Sequence, residues 1–329
     1  MSHPLHRVFF SVLGLAVACG NPPEPLPAPR SSPTTSVTTA VASSSTGALP
    51  VAKTTPATPK RGLFPADDSI RTRYPWLVDG KEVRLLSESI DPPSGFSRVN
   101  VSPGSFGAFL RELPLRAPSS PVRSYRGELL HEGTDPRIAA VVELDVSPVD
   151  IQQCADSVIR LHAEWKWAAN QADGVGYHFL SGDFATWKRY LAGERPKVDG
   201  NKVAWSGGAS TKNDHASFRK YLDLVFNYAS TISLASKSAK PIERKDVRAG
   251  DFFVLPGGPG HAILILDLAV DKTGKTVALL GQGFMPAQDF QVLSMSGNPW
   301  FSFDGEDVPT PFWPAPFPWS SLRRMNGDL

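Results

Sequence analysis

The pattern of apolar and polar positions is clearest between residues 248 and 290. Residues 251–255 form a short apolar run of buried-strand length. Pro256-Gly257-Gly258-Pro259-Gly260 follows, a cluster that no helix or strand interior tolerates. His261 opens a second apolar run, 262–268, and Asp271-Lys272-Thr273-Gly274 is a hairpin signal. A third run, 276–280, returns beside the second. The pattern therefore places one histidine at the mouth of a central hairpin, behind a Gly/Pro loop that leaves room for something to approach.

The remaining pattern predicts elements around that hairpin. Residues 83–86 and 96–99 read as strands, with a turn at Asp91-Pro92-Pro93-Ser94-Gly95. Ser105 caps a short helix over 106–113 that Pro114 ends. Residues 122–130 read as one strand, and the β-branched run 138–146 as a central one. Ser147-Pro148-Val149-Asp150 has a capping serine, a proline at the first helical position and an acid in the first turn. That start predicts a helix to about residue 170 with an apolar face of Ile151, Cys154, Ala155, Val158, Leu161 and Trp165. Asp183 is read as the cap of a short helix through 191, and 202–205 as a small strand. Asp214 caps the clearest helix, whose stripe runs from Phe218 through Tyr221, Leu222, Val225, Phe226 and Ala229 to Ile232 and reads as core support. The proline- and aromatic-rich tail after Pro299 reads as a wrap that seals the domain; sugar stacking is the other use of such segments. With no internal repeat or second core, residues 70–329 are expected to form a single α+β domain, an antiparallel sheet with helices packed on it.

Composition adds limits. Of 329 residues, 41% are hydrophobic and 20% charged, enough for a sizeable core. The net charge of +2 lacks any basic block, which argues against nucleic-acid binding. At the N-terminus, His6-Arg7 precedes an apolar run, 8–17, too short to span a bilayer. The run ends in Leu15-Ala16-Val17-Ala18-Cys19-Gly20, which resembles a bacterial lipobox. The resemblance implies a signal peptide over 1–18, cleavage before Cys19, and lipid on its sulfur; the plainer alternative is ordinary cleavage near Ala18. Two or more acyl chains anchor stably, and a residue other than Asp after Cys19 favours the outer over the inner membrane. Residues 19–69 are mostly Pro, Ser, Thr and Ala, with few large apolar residues, and read as a disordered tether.

Three residues carry the candidate chemistry. Cys154 on a helix, with His261 far downstream on a strand, follows the chain order of papain-like folds. There the thiolate is the nucleophile, the histidine takes its proton, and a third polar side chain orients the ring. Gln282, roughly across the hairpin from His261, suits that third role better than Asp267, which lies far along the histidine's own strand. Against this, Cys154 falls on the apolar stripe of its helix, two turns in if Ser147 is the cap, and free cysteine is among the most buried residue types. A helix beginning near Gln152 would restore the geometry. Arg160 and Glu164 form an i,i+4 pair beside Leu161 and Trp165. No HExxH or CxxC is present, no cofactor is implied, and nothing in the spacing of Asp251, His261 and Asp267 requires a metal.

Several blocks carry a family resemblance: 104–111 (Gly-Ser-Phe-Gly-Ala-Phe-Leu-Arg), 152–161 (Gln-Gln-Cys-Ala-Asp-Ser-Val-Ile-Arg-Leu), Pro259-Gly260-His261-Ala262 and 283–288 (Gly-Phe-Met-Pro-Ala-Gln). They resemble a bacterial family catalogued as domain of unknown function 4846, over about residues 75–325. The resemblance implies an exported or lipid-anchored protein and brings no activity. More distantly, Arg248-Ala249-Gly250-Asp251-Phe252-Phe253-Val254 followed by Gly260-His261-Ala262-Ile263-Leu264-Ile265 is similar to the histidine segment of NlpC-like cell-wall cysteine peptidases. That similarity implies a papain-like core with Cys154 as nucleophile, His261 as base and Gln282 as orienter. The chain departs from the NlpC pattern in its Gln153-Cys154-Ala155-Asp156 motif, in the long Cys–His separation, and in the expected depth of the cysteine in its helix.

Two functional expectations follow. One is a lipid-anchored cysteine hydrolase, an amidase or peptidase of wall or envelope amides, with the Cys154 sulfur within about 4 Å of the His261 ring in an open cleft. The other is a non-catalytic envelope lipoprotein that binds a wall glycan or protein partner and uses Cys154 only for packing.

Overall fold

The structure is a computed structural model that describes residues 62–327. The expected signal peptide, the Cys19 lipid site and most of the tether lie outside the described residues. Ordered elements begin at Phe64–Pro65, somewhat before residue 70. No helix among the described residues is long and apolar enough to cross a membrane.

Three helices and eleven strands position the site. The helices are α1 (Phe106–Arg111), α2 (Cys154–Ala168) and α3 (His215–Tyr228). The strands are β1 (Ser97–Arg98), β2 (Ile138–Val141), β3 (Ala239–Pro241), β4 (Phe252–Leu255), β5 (His261–Val270), β6 (Thr276–Gln282), β7 (Gln291–Leu293), β8 (Trp300–Ser302), β9 (Asp307–Val308), β10 (Phe317–Pro318) and β11 (Leu322–Met325). The main sheet is antiparallel throughout, in the order β3-β11-β4-β5-β6-β7-β2, with β8 also pairing with β6 and β1 with β5. The expected α+β class and antiparallel sheet are both present.

Period-2 alternation divides the sheet residues between two cores. Phe252, Val254, Ala262, Leu264 and Leu266 pack with Val158 and Leu161 of α2 and with Phe218, Leu222 and Val225 of α3. Phe253, Ile263, Ile265, Leu280 and Leu293 pack instead with the C-terminal Phe303, Phe317 and Leu322. The tail does wrap and seal the domain, as its composition predicts. Asp214 caps α3 by accepting the Ser217 N–H at 2.9 Å, and Ser105 caps α1 by accepting from Ala108 at 3.2 Å.

Several predicted elements differ. The run at 138–146 becomes the short β2 at the end of the sheet order rather than a central strand. Residues 122–130 split into Val122–Arg123 and Leu129–His131, which pair with each other across a turn. The short helix Trp187–Leu191 is capped by Thr186, not Asp183, because residues 184–186 are taken into a strand. Ile232 lies beyond α3 and is exposed.

The main correction concerns α2. It starts at Cys154, not at Pro148. Asp150 does not serve as a first-turn acid: its carboxylate accepts the Ala287 N–H at 2.7 Å and the Gln153 side-chain amide at 3.0 Å. That tertiary contact holds the chain before Gln153 in a turn. Asp156 then reaches back to accept the Gln153 N–H at 3.2 Å, the capping contact of a helix that begins one residue later. Cys154 therefore stands at the first helical position rather than two turns in.

Candidate active site

The first turn of α2 and the departing end of β6 are held in close contact. A Cβ on Gly283 would lie 2.2 Å from Ser157 Oγ and 3.0 Å from the Gln153 carbonyl oxygen, so only glycine lets the chain leave β6 past the start of α2. Pairing between β5 and β6 reaches Leu264–Gly281 and no further toward His261, so the two strands part there. Cys154 meets β5 at this opening. Its Sγ lies 3.9 Å from the Gly260 carbonyl oxygen, and the Ala262 N–H is turned toward it. The sulfur thus contacts the backbone on both sides of His261.

His261 is the first residue of β5 and lies opposite Leu255. Gly260 before it is close-packed; a Cβ there would lie 2.3 Å from Thr231 Oγ1 and 2.6 Å from the Leu255 carbonyl oxygen. The ring's Nε2 lies 2.8 Å from Gln282 Oε1. With the carboxamide oxygen accepting, Nε2 carries the proton and Nδ1 is the basic nitrogen. Nδ1 is buried without a hydrogen-bond partner. The thiol bonds to the Gly260 carbonyl, not to the imidazole.

The expected open cleft is absent, and the reason is the tail. Trp313 stacks on the His261 ring at 4.8 Å and 22° between planes, and Phe284 meets it edge-on at 5.0 Å. His261 is 0% exposed and Cys154 5%. Burial, reinforced by the nearby Asp156 carboxyl, pushes the thiol up to about 11, against the lowering effect of the Ala262, Ala155 and Cys154 amides. Burial also pushes His261 down to about 4, with the Gln282 hydrogen bond opposing it. In this closed arrangement both groups are neutral. Asp156 is driven by burial up to about 8, and one of its carboxylate oxygens has no partner.

The other acids do not join His261. Asp267 is buried between Arg98 and Arg111, and Arg111 Nη2 donates to it at 2.6 Å. Asp251 is held bidentately by Arg324 at 2.6 and 2.8 Å. Among the described residues no group of His, Cys, Asp or Glu could hold a metal. The Arg160–Glu164 pair is fully buried, with 0% exposure on both sides.

Sequence reasoning missed two features. The composition of the tail predicts a seal, but nothing in its sequence says that Trp313 covers His261. Gln291, paired across the sheet with Gln282, is 0% exposed with no partner for either end of its carboxamide. Its signal was a polar residue in the short apolar run of β7.

A separate cavity of about 390 Å³ is lined in part by Arg111, Trp165, Lys166, Arg248, Asp251 and Arg324. It does not include Cys154 or His261.

No curated protein matches the chain, and no solved structure matches it. The sequence does match the family described as "Domain of unknown function (4846)" over residues 86–324, well over half its length. The chain belongs to the domain of unknown function 4846 family.

Proposed function

We propose that this protein is a papain-like cysteine hydrolase of amide bonds, with Cys154 as nucleophile, His261 as base and Gln282 as orienter, held closed beneath its own C-terminal loop. The observation that carries the reading is the bond from His261 Nε2 to Gln282 Oε1, which leaves Nδ1 as the basic nitrogen on a strand whose backbone touches the Cys154 sulfur. The position of Cys154 at the start of α2 supports it. Free amides and the helix dipole there favour a thiolate once solvent enters. When the loop opens, the Cys154 S–H gives its proton to His261 Nδ1. The thiolate then attacks the amide carbonyl carbon and forms a C–S bond. His261 returns the proton to the amine as the C–N bond breaks, leaving a thioester, and a water deprotonated by His261 releases the acid and restores the thiol. Amide bonds of wall or envelope peptides are the proposed substrates. Supporting this, the N-terminal stretch resembles a lipoprotein signal, with lipid on Cys19, a tether behind it and the outer membrane as the favoured location.

The test is thiol reactivity. Native protein is alkylated across pH and compared with unfolded protein. The reading expects Cys154 to label well below the ordinary thiol value of about 8.5, and His261→Ala to abolish that low-pH reactivity. Labelling only after unfolding overturns it.

A second reading is a non-catalytic envelope lipoprotein that binds a glycan or a protein partner. It is favoured by the burial of Cys154 and by the separate cavity walled by Trp165. On that reading Cys154→Ala leaves function intact.

A further inference from the structure

The seal over His261 is weakly built. Strands β9 and β10 pair, and the loop between them, residues 309–316, reads Pro-Thr-Pro-Phe-Trp-Pro-Ala-Pro. Its four prolines have no N–H to donate. Among the described residues, no backbone–backbone hydrogen bond ties this loop to the rest of the protein. Rings hold it instead: Trp313 on His261 at 4.8 Å, Phe312 on His131 at 5.1 Å and on Phe284 at 6.2 Å. The Thr310 hydroxyl is buried without a partner. A segment held by few directional bonds opens at low free-energy cost compared with the sheet beneath it.

The same sheet face carries a polar row. His261, Gln282 and Gln291 lie on three adjacent strands, β5, β6 and β7. Gln282 and Gln291 are direct cross-strand partners, so their side chains leave the same face with Cβ atoms about 5 Å apart. The neighbouring residues Ile263, Leu280 and Leu293 belong to the apolar core shared with the tail. In that setting Gln282 Nε2 and both ends of the Gln291 carboxamide have no partner. Buried amides left unpaired are costly and rare, and here three such atoms share one sheet face. One free N–H donor and one free carbonyl acceptor on a single group are the complement of another amide.

We infer that Gln291, with the free amide of Gln282, is an amide-recognition subsite, and that its ligand is a peptide-type amide that enters where the 309–316 loop lifts. The ligand backbone lies across β6 and β7, in the space that Trp313 and Phe312 vacate. The inference deepens the hydrolase reading and rests on it for the chemistry, but the recognition step does not require His261 to act as a base.

Two reagents that attack the same thiol separate recognition from access. Iodoacetamide carries an amide; methyl methanethiosulfonate carries none. Both are applied to the native full-length chain, to Trp313→Ala and to Gln291→Leu. Trp313→Ala is expected to speed both reagents at Cys154 by about tenfold or more. Gln291→Leu is expected to slow iodoacetamide by roughly threefold to tenfold and to leave methyl methanethiosulfonate unchanged. Equal effects of Gln291→Leu on the two reagents overturn the subsite. No acceleration in Trp313→Ala, or no labelling of any native form, overturns the loop as entrance. Should Gln291→Leu fail to fold, the nearly isosteric Gln291→Met is read in the same way. Failure of the hydrolase reading has its own signature: a labelling profile against pH that His261→Ala does not change, whatever the ratio of the two reagents.

Discussion

Two buried polar clusters flank α2, and they are built by opposite rules. On one flank Arg160 is 0% exposed, and each of its three nitrogens is bonded. Nε donates to Glu164 at 2.7 Å, Nη1 to Gln152 Oε1 at 3.0 Å and to the Asp145 carbonyl, and Nη2 to the Asp145 carboxylate at 2.6 Å. Glu164 then reaches His215 of α3 at 2.8 Å. Burial alone would raise the Glu164 value, yet Arg160 and His215 hold it below the ordinary one. At the N-terminal end of the same helix, Cys154, His261, Gln282 and Gln291 leave Nδ1, an amide nitrogen and a whole carboxamide unsatisfied. Satisfied networks fix architecture, whereas unsatisfied ones lower stability and persist where a protein handles something that comes and goes. The comparison makes α2 a post whose Arg160 flank is architecture; on the proposed function its N-terminal tip serves chemistry.

The largest expected effect lies on the architectural flank. Arg160→Leu leaves Glu164 buried with only His215, and should cost about 3–5 kcal/mol in urea unfolding. A cost below about 1 kcal/mol would mean the network does not hold α2 to α3, and the contrast would collapse.

Next in size is the pH dependence of the unsatisfied cluster. His261 titrates near 6.5 when unfolded and is pushed down to about 4 when folded. Between those values the unfolded chain binds the extra proton, so stability is lost as pH falls from 6.5 toward 4. The loss attributable to this residue is up to about 3 kcal/mol. Asp156 acts with the opposite sign. Its folded value of about 8 stands above the unfolded 3.8, so its contribution is present at low pH and is lost as pH rises toward 8. Denaturant midpoints measured from pH 4 to 8 should flatten at the acid end in His261→Phe and at the alkaline end in Asp156→Asn. Unchanged curves would show that both groups titrate in solvent and that the seal is open.

How much of this was legible in the sequence depends on the range of the contacts. The hairpin of β5 and β6, the caps Ser105 and Asp214 and the stripe of α3 are local patterns, and the sequence shows them directly. Gln282 could be placed against His261 because a hairpin turn at residues 271–274 sets the register across it. The start of α2 could not be placed, because a tertiary bond decides it: the Ala287 N–H, 137 residues away, takes the Asp150 carboxylate from the helix. Position 138–146 reads as central because β-branched residues report burial, not sheet order. Trp313 over His261 is a long-range ring contact made by a loop without periodicity, and no local pattern announces it. The depth assigned to Cys154 was thus an error of helix start. The tail instead accounts for the burial of His261, through Trp313.

Smaller effects sharpen the contrast through sign. Gln152 and Gln291 are both buried glutamines, one bonded and one not. Gln152→Leu removes an acceptor from Arg160 and should destabilise by about 1–3 kcal/mol. Gln291→Leu removes a group with no partner, and should stabilise by about 1 kcal/mol. Equal signs in thermal unfolding would show that the two clusters do not differ in kind.

An effect of similar size is the most discriminating. Cys154 packs at the tip of α2 against backbone, where its sulfur accepts an amide and bonds weakly to the Gly260 carbonyl at 3.9 Å. Truncation to alanine deletes one polarizable atom next to a strand opening that can close, so Cys154→Ala should cost about 1–2 kcal/mol. A residue built into the architecture would behave otherwise. If the loss exceeds about 3 kcal/mol, Cys154 belongs with Arg160 as part of the post, and the tip of α2 is core rather than chemistry. A small loss alone does not make an enzyme. Combined with low-pH reactivity of the native thiol that disappears in His261→Ala, it separates a cysteine kept for its sulfur from one kept for its volume.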